Sequence, residues 1–295
     1  MDKDRIEIVK TYKLYIGGKF PRTESGRYYS PLDKKGNGLA NMCLSSRKDF
    51  RNSVVVARGA QAGWAGRTAY NRSQILYRIG EILEDRRAQF EAELIKQGAT
   101  KKAAEQEVLL AVDRLVYYAG WCDKYQQVVG TVNPVASAHF NFSVPESMGV
   151  VTAFADQKSS LIGLVSAIAP IIAGGNTCIV LASTNKPLCS ITFAEVLNAS
   201  DVPGGVVNIL TGEVGEIISH AAVHMDVNAI VYCGSDKDDI KLLEDKSTSN
   251  VKRIRVYDEN WMKESAQNLY YLTDLQEIKT TWHPIEKIGG AAQSY

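Results

Sequence analysis

Residues 149–154 read GVVTAF, residues 178–182 CIVLA, residues 206–210 VVNIL and residues 229–233 AIVYC: four short runs rich in β-branched and apolar residues. Between them lie helix-like segments, at Leu161 to Ala173, around Ile191 to Leu197, and near Val214 to His220. Strands alternating with helices of this length imply right-handed βαβ crossovers and a parallel sheet covered on both faces. The expected fold class is therefore α/β, a Rossmann-like parallel sheet with flanking helices. No internal repeat or low-complexity tract interrupts the pattern.

Upstream of this core, residues 128–151 (VVGTVNPVASAHFNFSVPESMGVV) alternate apolar and polar residues on either side of Asn133 and Pro134, which predicts a long exposed hairpin. Between Ser46 and Ala119 the period changes to 3.6, with Ala57, Ala60 and Trp64 and then Ile75, Leu76, Ile79, Ile82 and Leu83 on one face, so two or more long helices are expected. A third helix is predicted over Ala103 to Tyr118, with Leu109, Val112, Leu115, Val116 and Tyr117 as its apolar stripe. Residues 12–29 (YKLYIGGKFPRTESGRYY) alternate around a Gly-Gly turn, as a β-hairpin in an extended N-terminal arm would.

The 295 residues suit one large α/β domain or two modest ones, and 45% hydrophobic with 23% charged residues argues for a packed interior rather than disorder. A net charge of +1 supplies no basic field for nucleic acid and no acidic field for cationic partners. The start, MDKDRIEIVKTYKLYIGG, is charged from its second residue and lacks a signal-like apolar core, so a cytoplasmic protein is expected. The longest apolar run, Leu161 to Ala173, is broken by Gly163, Ser166 and Pro170 and is too short for a membrane span. Cys43, Cys122, Cys178, Cys189 and Cys233 are scattered without a close pair, which fits neither a zinc site nor a disulfide framework. No metal is expected.

Three stretches in order, IAPIIAGGNTCIVLAS (168–183), DVPGGVVNILTG (201–212) and AIVYCGS (229–235), resemble the cofactor domain of the aldehyde dehydrogenase superfamily. YRIGEILEDRR (77–87) and AVDRLVYYAGWCDK (111–124) resemble that family's N-terminal helices, and the similarity extends from about Tyr12 to Asn260. The family continues from here through a Leu-Glu-Leu-Gly-Gly segment into a catalytic domain, whereas this chain runs through KRIRVYDENW (252–261) and, within roughly ten residues, too few for more than a connection, reaches LYYLTDLQEIKTTWHPIEK (269–287). That segment resembles the family's C-terminal strand, with Ile278, Lys279, Thr280 and Thr281 at its Val-Lys-Thr-Val stretch, which pairs with another subunit. The resemblance implies a Rossmann-type domain over 1–260 that includes an oligomerisation hairpin at about 128–148. A short connection over 261–268 stands where a catalytic domain, on the order of 150 residues or more, is missing, and an oligomerisation strand and tail occupy 269–295.

Aldehyde oxidation in the family needs a thiolate, an oxyanion hole, a base and a bound nicotinamide. The nucleophile belongs to the missing domain, and Cys233, at the end of an apolar strand, reads as a structural thiol. The family's Pro-Trp-Asn oxyanion motif falls on Asp156, Gln157 and Lys158, and Lys158, which stands beside an acid that would pair with it, reads as part of a solvated polar loop. The water-activating glutamate corresponds to Tyr257, although a slip of one or two residues would bring Asp258 or Glu259 there. The Lys-x-x-Glu pair that holds the adenosine ribose falls on Leu181 and Thr184, a loss of charge-assisted hydrogen bonds worth roughly 1.5 to 3 kcal/mol each. Gly234 and Ser235 keep the Gly-Ser opening of a phosphate-facing helix and are the candidate cofactor-binding residues. The following Asp236, Asp238 and Asp239 would cap that helix and repel a pyrophosphate.

These readings imply no catalytic residues and no cofactor, with NAD or NADP as the weak alternative. The hairpin and terminal strand remain. An unpaired strand there would leave an edge open to pairing, so homo-oligomerisation or assembly with an active aldehyde dehydrogenase is expected, unless the strand folds onto its own hairpin and stops there. The leading expectation is a non-catalytic aldehyde dehydrogenase-like subunit that scaffolds a full-length enzyme, by analogy with tandem members joining an active to an inactive unit. Two alternatives stay open: an NAD(P)- or nucleotide-binding sensor, and an NAD-dependent oxidoreductase completed by a partner chain.

Overall fold

The computed structural model describes residues 9–285. The charged start at 1–8 and the end of the tail at 286–295 lie outside the described residues. The N-terminal arm carries three short strands, β1 (Thr11–Tyr12), β2 (Tyr28–Tyr29) and β3 (Asn41–Cys43), in the order β1-β3-β2. The expected hairpin is reduced to its tip. Gly17 and Gly18 both have positive φ (62° and 76°), as a two-residue turn of the primed type requires, and Ile16 and Lys19 close it through reciprocal backbone bonds of 2.9 and 3.1 Å. Leu14 N extends the pairing by one step, donating to Pro21 O at 3.0 Å, and no further backbone bond joins the two sides among the described residues. Tyr15 instead bridges to Ile209 in the sheet, and β1 runs parallel to β3.

Five helices follow: α1 (Arg47–Ala65), α2 (Ala69–Asp85), α3 (Arg87–Lys96), α4 (Lys101–Trp121) and the short α5 (Tyr125–Val129). Helix α1 starts in a capping box, with the Ser46 hydroxyl accepting from Asp49 N and Asp49 Oδ2 accepting from Ser46 N. The same Asp49 carboxylate accepts from the Thr23 hydroxyl at 2.7 Å and Glu24 N at 3.0 Å, so one side chain starts the helix and fastens the arm to it. In α4 the expected stripe is rotated. Leu109 and Val116 are exposed, and the buried face is Ala104, Glu107, Val108, Ala111, Arg114, Leu115 and Tyr118.

The hairpin consists of β4 (Thr131–Asn133) and β5 (His139–Ser147). The parallel sheet then builds up through β6 (Val150–Phe154), α6 (Ile162–Ala173), β7 (Thr177–Leu181), α7 (Leu188–Ala199), β8 (Val207–Leu210), α8 (Val214–Val223), β9 (Ala229–Tyr232), α9 (Lys237–Ser247) and β10 (Arg253–Val256). Its order is β10-β9-β6-β7-β8, every neighbour parallel, which is the Rossmann-like α/β fold the sequence pattern predicts. Side chains alternate between two cores: Val150, Phe154, Ile179 and Leu181 face α1 and α8, while Val151, Ala153, Cys178 and Val180 face α6 and α7. Helix α6 lies between the sheet and α4 and is buried along its whole length, so its run of apolar residues reflects burial on all sides. No helix among the described residues is long and apolar enough to cross a membrane.

The chain ends with α10 (Tyr270–Thr273) and β11 (Gln276–Pro284), which pairs antiparallel with β5 in register from Gln276 opposite Ser147 to Pro284 opposite His139. The terminal strand thus completes its own hairpin as a β11-β5-β4 sheet.

Removal of the Asp49 carboxylate tests the arm's attachment. Asp49→Ala is expected to lower unfolding free energy by about 2 kcal/mol, the scale of a lost cap plus a partly buried hydrogen bond. Urea denaturation reads the loss, and amide exchange should accelerate within residues 9–45. An unchanged midpoint would contradict this role.

Candidate functional site

The ends of β6 and β9 open onto a cleft of about 200 Å³ lined by Phe154, Asp156, Lys158, Tyr232, Gly234 and Ser235. This is the crevice at the carboxyl ends of the strands where open α/β sheets bind ligands. On the β9 side, Asp236 caps α9 with its own carboxylate, accepting from Asp238 N at 3.0 Å and Asp239 N at 3.1 Å. Those N–H groups are the donors a helix start would offer an anion. The Tyr232 hydroxyl donates to Asp239 at 2.8 Å, and burial, reinforced by that carboxylate, holds the phenol protonated far into the alkaline range. Its ring lies so close to Gly234 that a side chain there would meet it at 3.0 to 3.4 Å. A side chain at position 234 would therefore have to displace the Tyr232 ring by a few tenths of an ångström. Ser235 is exposed at the rim.

On the β6 side, the loop from Ala155 to Leu161 turns most of its polar groups inward. Asp156 accepts from the Ser159 hydroxyl at 2.8 Å, which in turn accepts from Gly163 N. Gln157 accepts from Thr184 N at 2.8 Å. Only Lys158, 75% exposed along its side chain, matches the solvated loop expected from sequence, and the acid it meets is Asp258, at 3.4 Å across the strand ends. Lys158, Asp156, Asp258 and Glu259 line a second cleft of about 410 Å³ with Asn260 and Trp261.

The two positions aligned with the ribose-binding pair are structural. Leu181 is buried in β7, and the Thr184 hydroxyl donates to the Gly212 carbonyl at 2.6 Å, tying two sheet-end loops together. The Thr211-Gly212 turn is fixed from the other side, because Thr211 donates to the Cys43 carbonyl. Tyr257 donates to Asp274 at 3.0 Å and packs edge-on against Tyr271, and burial first, then the carboxylate, pushes its phenol upward. Cys233 and the other four cysteines are all free and buried. Burial raises each thiol above its ordinary value, Cys122 to about 12. Among the described residues no cluster of His, Cys, Asp and Glu could hold a metal ion.

Three residues that the sequence pattern did not single out organise this region, and all sit on the inner face of α4. One Glu107 oxygen accepts from Ser160 N (3.2 Å), Leu161 N (2.8 Å) and Ile162 N (3.2 Å), capping α6 from another helix. Arg114, 1% exposed, donates to the Ser166 hydroxyl and the Ala266 carbonyl, both at 2.7 Å, and to the Trp261 and Lys263 carbonyls at 3.3 and 3.4 Å. The Tyr118 hydroxyl donates to the Asn268 carbonyl. Residues 261–268, expected to be a bare connection, are thus gripped by backbone carbonyls. The sequence signal was present in the spacing 107, 114, 118, interleaved with Ala104 and Ala111, which puts the charges on a closely packed face.

Comparison with known proteins agrees with this architecture. The model of the aldehyde dehydrogenase family matches residues 21–256, and the chain belongs to that family. It is 28% identical over 252 residues to a putative aldehyde dehydrogenase, DhaS, of Bacillus subtilis, a match covering 83% of this chain and 50% of that one. It is 27% identical to the cytosolic 10-formyltetrahydrofolate dehydrogenase of Mus musculus over 85% of this chain and 28% of that one. An aldehyde dehydrogenase from Bacillus cereus solved as its NAD+ complex superposes with a TM-score of 0.79 at 23% identity, over 84% of this chain and 50% of that chain. The chain spans about half the length or less of the curated relatives it matches.

Raised thiol and phenol values have a thermodynamic consequence. An acid that keeps its proton in the folded state but loses it in the unfolded chain contributes stability that disappears as pH rises past its ordinary value. For the buried thiols that value is 9.0, and for Tyr232 and Tyr257 it is 10.0. Unfolding free energy should therefore fall steadily above pH 9 in denaturant titrations. Stability constant to pH 11 would mean that these groups titrate normally in the fold.

Proposed function

We propose that this chain is a non-catalytic, cytoplasmic aldehyde dehydrogenase-family subunit that acts by association, either with copies of itself or as a scaffold for a full-length aldehyde dehydrogenase. The observation that carries the reading is the filled start of α9. Asp236 takes the N–H groups of Asp238 and Asp239, and three acids crowd the place where a pyrophosphate would have to sit. The residues present do not fit a dinucleotide: Leu181 and Thr184 offer neither an ammonium nor a carboxylate to a ribose, and Tyr232 closes over Gly234. Nor do they suit the family's oxidation, since each of the five thiols is buried and held protonated while Tyr257 is bound to Asp274. The β11-β5-β4 sheet supports association, because its strands expose Val132, Phe140, Ile278 and Trp282 to solvent.

A second reading rests on the open cleft beside Ser235. A small anion entering there would make the protein a nucleotide-responsive binder without catalysis. The two are separated by one set of assays on purified protein. Aldehyde-dependent reduction of NAD or NADP is expected to stay at the buffer background, and calorimetric titration with NAD, NADP and ATP to millimolar concentration is expected to give no saturable heat. Turnover above background would sink the non-catalytic reading, and saturable heat without turnover would establish the second.

A further inference from the structure

We infer that β11 is a self-pairing edge, through which two copies join antiparallel about a two-fold axis at Thr280 into one continuous six-stranded sheet. The inference deepens the association reading by naming both occupant and register.

The direction of the backbone groups on β11 can be fixed from its neighbours. Ile285 N donates to Ala138 O at 3.0 Å, continuing the register with β5, so the odd-numbered residues of β11 exchange their hydrogen bonds with β5. The even-numbered residues therefore point their N–H and C=O groups to the outer edge. Gln276 confirms the assignment, since its outward carbonyl is taken by Arg253 at 2.7 Å. Beyond it, the outer backbone groups of Ile278, Thr280 and Trp282 face no backbone partner among the described residues. Pro284, which has no N–H, closes the open stretch. Edges of this kind are usually blunted by inward charges, bulges or covering loops. Here the two outward-edge residues flanking Thr280 are Ile278, 59% exposed, and Trp282, 56% exposed.

An antiparallel pairing of β11 with itself has few registers, and charge selects among them. With the axis at Thr280, Ile278 of one copy lies opposite Trp282 of the other on one face, Glu277 lies opposite His283 on the other, and Lys279 meets Thr281. Aliphatic against aromatic and acid against imidazole are both favourable cross-strand pairs. Moving the axis to Lys279 sets that lysine against its own copy and pushes Trp282 against Gln276, which Arg253 already holds. Moving it to Thr281 opposes Lys279 to His283. All three registers pair even-numbered with even-numbered residues, so the exposed groups meet as hydrogen-bonded pairs in each, but only the axis at Thr280 also sets Ile278 against Trp282. The open stretch of β11 is short, so the dimer is expected to be weak and dependent on concentration.

Sedimentation velocity over a micromolar concentration series tests the register through a charge swap. Ile278→Glu alone places a carboxylate against Trp282, and Trp282→Lys alone places an ammonium against Ile278. Each is expected to weaken the dimer by about tenfold or more. The double variant sets Glu against Lys at both symmetric positions and is expected to dimerise again with affinity near that of the wild type. Both side chains are exposed, so circular dichroism of the monomers should be unchanged. Single variants that dimerise as well as the wild type would overturn the inference and move self-association elsewhere, and a double variant weaker than both singles would overturn the register. A wild-type chain that stays monomeric throughout would also overturn it. Co-sedimentation of that monomer with a full-length aldehyde dehydrogenase would then leave the broader association reading standing.

Discussion

Two charges on one helix face hold the rest of the molecule in place. Glu107 and Arg114 sit two turns apart on α4, roughly 10 Å along its axis, and both are buried, with no ion-pair partner among the described residues. Isolated charges in a protein interior are costly, and they persist only when dipoles replace the lost water. Each charge here finds dipoles of the right sign. The carboxylate faces three N–H groups at the positive end of α6, and the guanidinium faces carbonyls of residues 261, 263 and 266. Helix α4 thereby sets the distance between the start of the crossover helix and the segment that leads from the sheet to the terminal strand. Loss of either charge would leave an entire set of backbone groups unsatisfied, a larger penalty than loss of one surface ion pair.

That arrangement bears directly on the strand-end clefts. The start of α6 is also where the loop carrying Asp156, Gln157 and Lys158 ends, so Glu107 fixes the loop from below while Ser159 and Thr184 fix it from the sides. Residues 257–274 are pinned by Arg114, Tyr118 and the Tyr257–Asp274 bond. Polar groups at the positions that would serve a dinucleotide or an aldehyde in this family are spent on internal contacts: Thr184 on Gly212, Tyr257 on Asp274, Asp236 on its own helix. These internal contacts are the observations on which the proposed non-catalytic reading rests.

How much of this could be read from the sequence depended on the range of the determining interaction. The parallel sheet was legible because period and turn signals are local, and β6, β7, β8 and β9 fall where GVVTAF, CIVLA, VVNIL and AIVYC predict them. The hairpin at β4 and β5 was legible for the same reason, whereas the strand at residues 276–284 was expected only from the resemblance carried by Ile278 to Thr281. The N-terminal arm was not, since the alternation around Gly17 and Gly18 also suits a chain that lies along β8 and pairs β1 with β3. The stripe on α4 was misplaced because a hydrophobicity pattern assigns Glu107 and Arg114 to solvent, and only the helix end and carbonyls brought up by tertiary folding make their burial favourable. Of the site, burial of Cys233 and helix capping by Asp236 were legible. The meeting of Lys158 with Asp258, 100 residues away, was not.

The most direct test of the central claim is a crystal structure of the protein soaked in millimolar NAD. The account predicts an unfilled cleft between β6 and β9, with the Asp236 carboxylate still on the N–H groups of Asp238 and Asp239 and Tyr232 still bonded to Asp239. Dinucleotide density with its pyrophosphate at the start of α9, and Asp236 displaced from those N–H groups, would contradict it.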